Sequence, residues 1–251
     1  MAADQDDSEG FFGERVAAAY DEGSATMFDP AVVEPAVEML AGLAGDGSAL
    51  EFAIGTGRIA LPLAERGVRV VGIDSSEAML DRLRAKPGAE RVEAMVGDMA
   101  STRVDGEFSL VYLVFNTICN LTTQDAQVAC FENAAAHLRT GGRFVIELGV
   151  PALQMLPVGQ SIVPFHAGPG GLGFDVYDVV TQNFSSQHYV FEDGKVESGH
   201  VEFRYAWPAE LDLMARIAGL ALEHRWAGWE REPFTNVSSS HVSVYVKPLN
   251  Y

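Results

Sequence analysis

A glycine-rich stretch, EFAIGTGRIA at 51–60, carries residue types suited to binding a small ligand. Its GTG triplet precedes a predicted helix, so backbone N–H groups and the positive end of that helix can approach a ligand closely. A dinucleotide loop has the pattern G-x-G-x-x-G, in which the glycines allow the turn, the approach of the pyrophosphate and the packing of the helix. Aligned on Gly55, the first and third positions hold Ala53 and Arg58. The stretch therefore predicts a glycine loop that is not built for a pyrophosphate.

Acidic side chains accompany this loop. Glu51 precedes it, where a negative charge would repel a diphosphate but suit a ligand that bears an ammonium group. Asp74 ends the apolar run VVGID, where a carboxylate is placed to accept hydrogen bonds from a ribose diol. A helix N-cap is the alternative role for Asp74 and for Asp98. The predicted ligand has a ribose and a cationic part, and S-adenosylmethionine fits that description.

The elements that position these residues follow from an alternating pattern. From Ala49 onward, the apolar runs ALEFAI, VRVVGID, VEAMVGD, SLVYLVF and RFVIELG alternate with helical segments. Runs that are apolar on both faces and separated by helices predict an α/β fold, here a Rossmann-like, seven-stranded, mostly parallel sheet with helices on both faces. Ligands bind beyond the carboxyl ends of such strands. The functional residues are therefore expected at 51–57, 74, 98, 115–116 and 147–149.

From 151 to 207 the alternation stops and the chain becomes rich in aromatic residues, glycine and histidine. The pair Asp193-Gly194 is a strong hairpin signal. Val201, Phe203 and Tyr205 alternate with polar residues, as in a strand. We expect an antiparallel β insertion after the fifth strand, lying over the ligand crevice as a lid or serving as an assembly surface for a homodimer.

With these motifs in order, the chain resembles the class I S-adenosylmethionine-dependent methyltransferases of the small-molecule type, motif by motif over residues 50–148. The stretch ExAxGTGR is similar to the family's first motif, acidic-x-Gly-x-Gly-x-Gly, with Ala53 as a departure. The resemblance implies that the loop lies along the methionine part of the cofactor, that Asp74 binds the ribose and that Asp98 binds the adenine amino group. The cofactor-binding residues predicted in this way are Tyr20, Glu51, Ala53, Gly55, Thr56, Gly57, Arg58, Asp74, Ser75, Met79, Gly97, Asp98, Met99, Phe115 and Asn116.

Candidates for the acceptor side of a methyl transfer are fewer. A general base is needed only if the acceptor must lose a proton. Tyr20 resembles a tyrosine of the family's N-terminal helix, Glu147 ends the fifth strand, and His166 lies in the insertion; a core tyrosine, a capping or lid-pairing group and a solvated histidine are the respective alternatives. The resemblance implies N- or O-methyl transfer to a small molecule, such as a natural product or amino sugar.

Two other functions stay open at this point. One is an NAD(P)-dependent oxidoreductase of Rossmann type, which the missing glycines at 53 and 58 disfavour. The other is a noncatalytic adenosylmethionine-binding regulator. Metal dependence is not expected, because the six histidines are scattered along the chain.

Composition narrows the partners and the location. With 251 residues, 48% of them hydrophobic, the chain has the size of one domain, predicted at 11–251 after a disordered acidic tail at 1–10. A net charge of −18 disfavours nucleic acid and anionic membranes, which leaves a small-molecule substrate or a protein as partner. Two cysteines fit a reducing compartment, and neither a signal peptide nor a membrane-spanning run is visible, so a cytoplasmic protein is expected.

Overall fold

The computed structural model of this chain describes residues 13–192 and 194–249. The predicted tail at 1–10 lies outside the described residues, as does Asp193 of the predicted hairpin. The described part contains two sheets, one of seven strands and one of four. Its strands are β1 Ala49–Phe52, β2 Val70–Asp74, β3 Val92–Val96, β4 Phe108–Leu113, β5 Leu138–Gly149, β6 Ile162–Gly168, β7 Gly171–Tyr177, β8 Asn183–Glu192, β9 Lys195–Arg204, β10 Ala221–Trp226 and β11 Ser240–Val246.

Strand order in the larger sheet is β10-β11-β5-β4-β1-β2-β3. The strands β1 to β5 pair in parallel, β11 runs antiparallel to β5, and β10 runs antiparallel to β11. The predicted mostly parallel, seven-stranded sheet is therefore confirmed. Its edge strand β3 departs from the expectation of burial on both faces, since Met95 and Val96 are 39% and 52% exposed.

Helices cover both faces of this sheet. Their bounds are α1 Glu14–Gly23, α2 Pro30–Ala44, α3 Ala60–Glu65, α4 Glu77–Arg84, α5 Gln124–His137 and α6 Pro208–Ile217. The helices α5 and α6 bury Phe131 and Leu211 in a first core, and α2, α3 and α4 bury Leu40, Leu63 and Leu80 in a second. Each face of the sheet is thus closed by its own apolar layer, as the fold class requires.

Three local expectations follow from the sequence: a loop over residues 21–30, a helix from Arg58, and a second helix capped by Asp29 with Pro30 at its first position. The first two are shifted, because α1 continues through Asp21 to Gly23, before a short 3₁₀ turn at Ala25–Phe28, and α3 begins at Ala60. The third is confirmed, because the side chain of Asp29 accepts a hydrogen bond from the backbone of Ala31 at 2.8 Å.

The strands β6 to β9 form an antiparallel meander, which confirms the predicted insertion after the fifth strand. The ladder between β8 and β9 closes at Glu192 and Lys195, as expected of a two-residue hairpin loop. On one face the rings of Tyr177, Phe184 and Phe203 stack with centroids 5.1 Å apart, and the two phenylalanines pack against the first core. This face, called the inner face below, is turned toward the larger sheet.

Candidate active site

The loop after β1 has a backbone that glycine favours. Ala53, Gly55 and Gly57 have φ angles of +54°, +55° and +82°. A Cβ on Gly57 would stand 3.0 Å from the Leu61 side chain and 3.1 Å from that of Leu83, so glycine is needed there for packing too. The left-handed conformation at Ala53 costs an L-residue about 1–2 kcal/mol. The sequence departure at this position is therefore accommodated with backbone strain.

Asp74 ties the first two strand ends together. Its Oδ2 accepts a hydrogen bond from the Gly55 N–H at 2.7 Å, and its Oδ1 accepts one from the Ser76 N–H at 2.9 Å. Ser76 itself caps α4, by accepting from the Met79 N–H at 3.2 Å, so Asp74 is not the N-cap of this helix. Burial raises the pKa of Asp74, and the two backbone hydrogen bonds oppose that shift. Each carboxylate oxygen keeps a lone pair for a further donor.

Asp98 follows β3 in an exposed turn. Its Oδ1 accepts a hydrogen bond from the Ala100 N–H at 2.6 Å, and its own N–H donates to Thr102 Oγ1 at 2.8 Å. A Cβ on Gly97 would lie 2.7 Å from the Thr102 side chain, which explains the glycine before the acid. Met99 is buried next to it. The carboxylate thus caps the turn and is also exposed to solvent.

The end of β4 is held in an unusual backbone conformation. Phe115 and Asn116 have φ angles of +59° and +60°, in the left-handed region that is costly for bulky residues. Three hydrogen bonds maintain it. The Glu147 Oε2 accepts from the Phe115 N–H at 2.9 Å, Glu147 Oε1 accepts from the indole N–H of Trp229 at 2.8 Å, and Asn116 Oδ1 accepts from the Gly149 N–H at 2.6 Å. Glu147 therefore positions the end of β4.

As a consequence, Phe115 is not a core residue. Its side chain is 37% exposed, and the Arg58 guanidinium lies 5.2 Å from its ring centroid. Arg58 also donates a hydrogen bond to the backbone oxygen of Met27 at 3.2 Å. The glycine loop, the end of β4 and the segment before α2 thus meet around one cation.

The helix α1 is fastened over the glycine loop. The Thr56 hydroxyl donates to Asp21 Oδ1 at 2.6 Å, and the Lys86 ammonium lies 2.5 Å from Asp21 Oδ2 and 2.9 Å from the Thr56 carbonyl oxygen. Burial raises the pKa of Tyr20, Arg58 opposes that shift and Asp74 adds to it, which puts the phenol within electrostatic reach of the loop. Sequence reasoning selected Tyr20 and Thr56 but not Asp21 and Lys86, which lie 35 residues before and 30 residues after Thr56.

Glu51 is an interior residue. It is 3% exposed, and the Tyr112 hydroxyl donates to its Oε2 at 2.8 Å. Burial raises the pKa of Glu51 to about 8, against the hydrogen bond from Tyr112 and the charge of Arg58. The carboxyl group is therefore mostly protonated at neutral pH. Its predicted attraction for a ligand's ammonium group stays a prediction.

The remaining predicted residues divide between the two sheets. Ser75 is exposed at the start of the turn into α4, and Met79 is buried below the loop, with its Cε 3.9 Å from where a Gly55 Cβ would stand. His166 lies on the exposed strand β6 and borders a small cavity with Phe165 and His188. None of the hydrogen bonds or ion pairs within 13–192 and 194–249 joins His166 to the glycine loop.

This arrangement fits a nucleoside with a cationic, amino-acid-like part. The loop offers an open backbone, Asp74 offers acceptor capacity for a diol, and Asp98 and Phe115 are exposed after the ends of β3 and β4, on either side of β1 and β2. Within the described part of the chain, no group of three or more histidine, cysteine or acidic residues could hold a metal ion. The cysteines Cys119 and Cys130 are free and buried.

Comparison with known proteins defines the family. Residues 49–142 match the family described as a methyltransferase domain. The chain is 30% identical over 230 residues to cypemycin N-terminal methyltransferase from a Streptomyces species, an alignment covering 86% of this chain and 92% of that protein. The solved structure of the CcbJ methyltransferase from Streptomyces caelestis matches with a TM-score of 0.82 and 36% identity, over 95% of this chain and 98% of that one.

A more distant match shows the fold alone. The adenosylmethionine-bound CalS10 from Micromonospora echinaspora, an amino pentose methyltransferase, has a TM-score of 0.67 at 19% identity, over 92% of this chain and 95% of that one.

The chain belongs to the S-adenosylmethionine-dependent methyltransferases. It is an enzyme of that class, with S-adenosylmethionine as its cofactor. The oxidoreductase and the noncatalytic regulator that the sequence left open are thereby set aside. Among the described helices, none has the length and apolar character needed to cross a membrane.

Proposed function

We propose that the enzyme transfers the methyl group of S-adenosylmethionine to a nitrogen atom of a small natural-product amine. The supporting observation is the meeting, at one edge of the sheet, of the open glycine loop, the Asp74 carboxylate and the tied ends of β4 and β5. Nitrogen is favoured over oxygen because the relative that aligns over 86% of this chain is an N-terminal methyltransferase, whose name specifies an amine acceptor. A strongly acidic chain also suits a cationic acceptor.

In this proposal the residues of the glycine loop and of the next three strand ends hold the cofactor. Asp74 accepts from the ribose hydroxyls, Asp98 from the adenine amino group, and Arg58 pairs with the amino-acid carboxylate. Bound S-adenosylmethionine supplies a methyl group on a positively charged sulfur, so the donor is already activated. The protein's task is to position the acceptor and to exclude water.

The second sheet serves in this proposal as a lid over the acceptor. Its inner face already packs against the larger sheet through Phe184 and Phe203. Its outer face, with Leu172 43% exposed and Phe191 38% exposed, is the predicted surface for association of two copies. Analytical ultracentrifugation tests that association, and a strictly monomeric species at high protein concentration would contradict it.

Calorimetric titration and mass spectrometry test the proposed function. We expect binding of S-adenosylmethionine and S-adenosylhomocysteine but not of NAD or NADP, and methylation of primary or secondary amines from a panel that also contains phenols. If phenols alone were methylated, or nicotinamide cofactors alone were bound, the proposal would be wrong.

Asp74→Asn provides the test of the cofactor site. The substitution removes the charge of a hydrogen-bonding carboxylate and is expected to weaken S-adenosylmethionine binding by about 1–3 kcal/mol. Asp81→Asn, an exposed position in α4, is the matched control. Circular dichroism verifies that both variants are folded. Unchanged affinity in folded Asp74→Asn would show that the ribose lies elsewhere.

A further inference from the structure

Glu147 places a carboxylate at the edge of the larger sheet where the cofactor-binding residues lie. It stands two residues before the end of β5, and its backbone oxygen accepts a hydrogen bond from the Asn116 N–H at 3.3 Å. On β11 the residue paired with it is Val242, which belongs to the second core. Because directly paired residues lie on the same face of a sheet, the Glu147 side chain lies on the face that packs against the second core.

Neutral donors orient both oxygens of this carboxylate. Its Oε2 accepts from the backbone N–H of Phe115, and its Oε1 accepts from the indole N–H of Trp229. Neither donor is charged, so the two hydrogen bonds orient the group without neutralising it. A carboxylate oxygen has two lone pairs, and each oxygen can therefore accept from one further donor. The side chain is held in place and keeps its capacity to bind a ligand.

Glu147 also has no counter-charge. In the described part of the chain, no lysine, arginine or histidine forms an ion pair with it, although the residue is partly buried. Three other partly buried carboxylates are each paired with an arginine, namely Glu210 with Arg204, Asp212 with Arg225 and Glu223 with Arg143. Removing a charge from water is costly unless an opposite charge compensates for it. A cationic ligand would supply that compensation.

The carboxylate lies within reach of a molecule bound at the cofactor edge. Phe115, whose N–H donates to Glu147, has its ring centroid 5.2 Å from the guanidinium of Arg58, the residue that follows the GTG triplet of the glycine loop. The hydrogen bond between Glu147 and Phe115 is exposed to solvent, and the Phe115 side chain is exposed as well. A ligand that extends from the glycine loop to the end of β4 can therefore contact the carboxylate.

We propose that Glu147 forms the acceptor subsite, in which its carboxylate accepts a hydrogen bond from the N–H of the acceptor amine and orients the nitrogen lone pair. The inference rests on the proposed N-methyl transfer. The acceptor reacts as the free amine, whose proton has passed to solvent. While the N–C bond forms and the bond between the methyl carbon and sulfur breaks, positive charge develops on the nitrogen. A carboxylate beside that nitrogen stabilises the charge, and the aromatic ring of Trp229 favours a cation as well.

The strained end of β4 belongs to this subsite. The left-handed backbones of Phe115 and Asn116 are costly, and strain of this kind is retained where the surrounding structure holds it. The Phe115 N–H is one of the two donors that orient Glu147. The hydrogen bond that maintains the turn therefore also fixes the position of the carboxylate for the amine.

Binding to the S-adenosylhomocysteine complex is the first test, because it needs no turnover. The probes are two amines, each with a neutral match: D-glucosamine with D-glucose, and L-alanyl-L-alanine amide with L-lactyl-L-alanine amide. By calorimetry at neutral pH, at least one amine should bind the parental complex about tenfold more tightly than its match, as a charge-assisted contact implies. If neither amine were preferred, the inference would be overturned.

Glu147→Gln should remove that preference. The substitution deletes the charge and keeps one acceptor oxygen, so the affinity for the amine should fall about tenfold and that for the neutral match less than about twofold. Glu230→Gln is the matched control, because it removes the same charge from an exposed position next to Trp229. This control should keep the parental preference. Equal losses in the two variants would assign the preference to the overall field of the protein and contradict the subsite.

S-adenosylhomocysteine itself separates an acceptor subsite from a contact with the cofactor. It carries the same α-ammonium group as S-adenosylmethionine but no charge on sulfur. Its Kd in Glu147→Gln should stay within about twofold of the parental value, since the lost hydrogen bond is assigned to the acceptor. A tenfold weaker Kd would place the cofactor's ammonium group at Glu147 and overturn the inference.

Trp229→Phe tests whether the hydrogen bonds, rather than the charge, produce the effect. This variant removes the indole donor but keeps an aromatic ring and the Glu147 carboxylate. The amine should still bind more tightly than its neutral match. If Trp229→Phe lost the preference as completely as Glu147→Gln, the role of Glu147 would be structural only. Circular dichroism and the melting temperature verify that both variants are folded.

Steady-state kinetics completes the comparison. For an amine that the parental enzyme methylates, kcat/KM should fall about 100-fold in Glu147→Gln, the size expected when one group that stabilises developing charge is removed. Glu230→Gln should keep the parental value. Parental kcat/KM in folded Glu147→Gln would overturn the subsite and leave the proposed N-methyl transfer standing. Methylation of phenols alone would contradict the proposed function, whereas the binding comparison would still test the subsite.

Discussion

At the scale of single residues, the acid before the glycine loop has a role that its sequence position does not reveal. Glu51 is buried on the face of the sheet that packs against the second core. It is hydrogen-bonded to Tyr112, and burial raises its pKa to about 8. An acid with a raised pKa in the folded state keeps its proton longer there than in the unfolded chain. The folded state is therefore penalised progressively as pH rises above the unfolded pKa.

The free energy of unfolding should therefore depend on pH through the Glu51 carboxyl group. Between about pH 6 and about pH 8, its contribution should lower the free energy of unfolding by about 2 kcal/mol, since the folded pKa of about 8 lies above the ordinary value of 4.5. In Glu51→Gln this decrease of the free energy of unfolding with pH should disappear, whereas the variant Glu107→Gln, at an exposed position, should keep it. Urea denaturation across this pH range measures the difference. Parallel pH profiles for the parent and Glu51→Gln would show that Glu51 is ionised in the folded enzyme.

At the scale of elements, a buried network joins the second sheet to the helices of the first core. The Arg204 guanidinium, at the end of β9, donates to Glu210 of α6 at 2.7 Å and to Gln127 of α5 at 2.6 Å. Gln124 and Gln182 each donate to Glu210 at 2.7 Å. Burial by itself raises the pKa of Glu210, but the hydrogen bonds outweigh it and hold the pKa below its ordinary value.

Removing one member of the Arg204–Glu210 pair should destabilise the folded state. Arg204→Met leaves the Glu210 carboxylate, whose side chain is only 14% exposed, without its cation and is expected to lower the free energy of unfolding by about 3 kcal/mol. Arg216→Met, at an exposed position in α6, the helix of Glu210, is the control and should stay close to the parent. The double variant Arg204→Met/Glu210→Leu should recover most of the loss, because no unpaired charge remains. A small effect of Arg204→Met alone would mean that water or another residue compensates for the charge.

The elements themselves were largely predictable, and the reason is periodicity. An apolar run such as SLVYLVF predicts a strand that is buried on both faces, because all of its consecutive residues are apolar. The start of α2 at Asp29-Pro30 is predictable because the capping residue and the proline are neighbours in the sequence. The register between paired strands, by contrast, cannot be read from neighbouring residues in the sequence. The stacking of Phe184 between Tyr177 and Phe203 depends on how β8 pairs with β7 and with β9, so sequence reasoning could not supply it.

Conformational detail at the loops was the other part that the sequence could not supply. Ala53 and Phe115 take left-handed backbones that their side chains disfavour, and each is held by partners distant in the chain. Glu147, 32 residues after Phe115, fixes that residue through its backbone N–H. Such pairs leave no pattern in a single sequence, since neither member is unusual by itself.

At the scale of the whole molecule, the formal charge of −18 gives the enzyme a long-range preference for cations. S-adenosylmethionine carries one more positive charge than S-adenosylhomocysteine, and the two are otherwise nearly the same in shape. A negative field therefore stabilises the bound substrate form more than the bound product form.

Added salt should weaken the binding of S-adenosylmethionine more than that of S-adenosylhomocysteine, because it screens the negative field of the protein. Raising NaCl from about 20 mM to about 500 mM shortens the screening length from about 20 Å to about 4 Å. The Kd of S-adenosylmethionine is expected to rise a few-fold over that range, and the Kd of S-adenosylhomocysteine to change much less. Calorimetry with both ligands in matched buffers measures the ratio. If both affinities responded equally to salt, the field of the protein would not distinguish the two ligands.

The insertion also has a consequence for how enzymes with this architecture diverge. The chain enters the second sheet after Gly149 and returns to α6 at Pro208, so the proposed lid over the acceptor is one contiguous segment, whereas the donor loops are spread over 51–116. Exchange of that one segment, by recombination or by design, would replace the acceptor preference as a unit. The donor half would keep its sequence, and the compatibility of the graft would depend on preserving Arg204 with its buried partners at the junction.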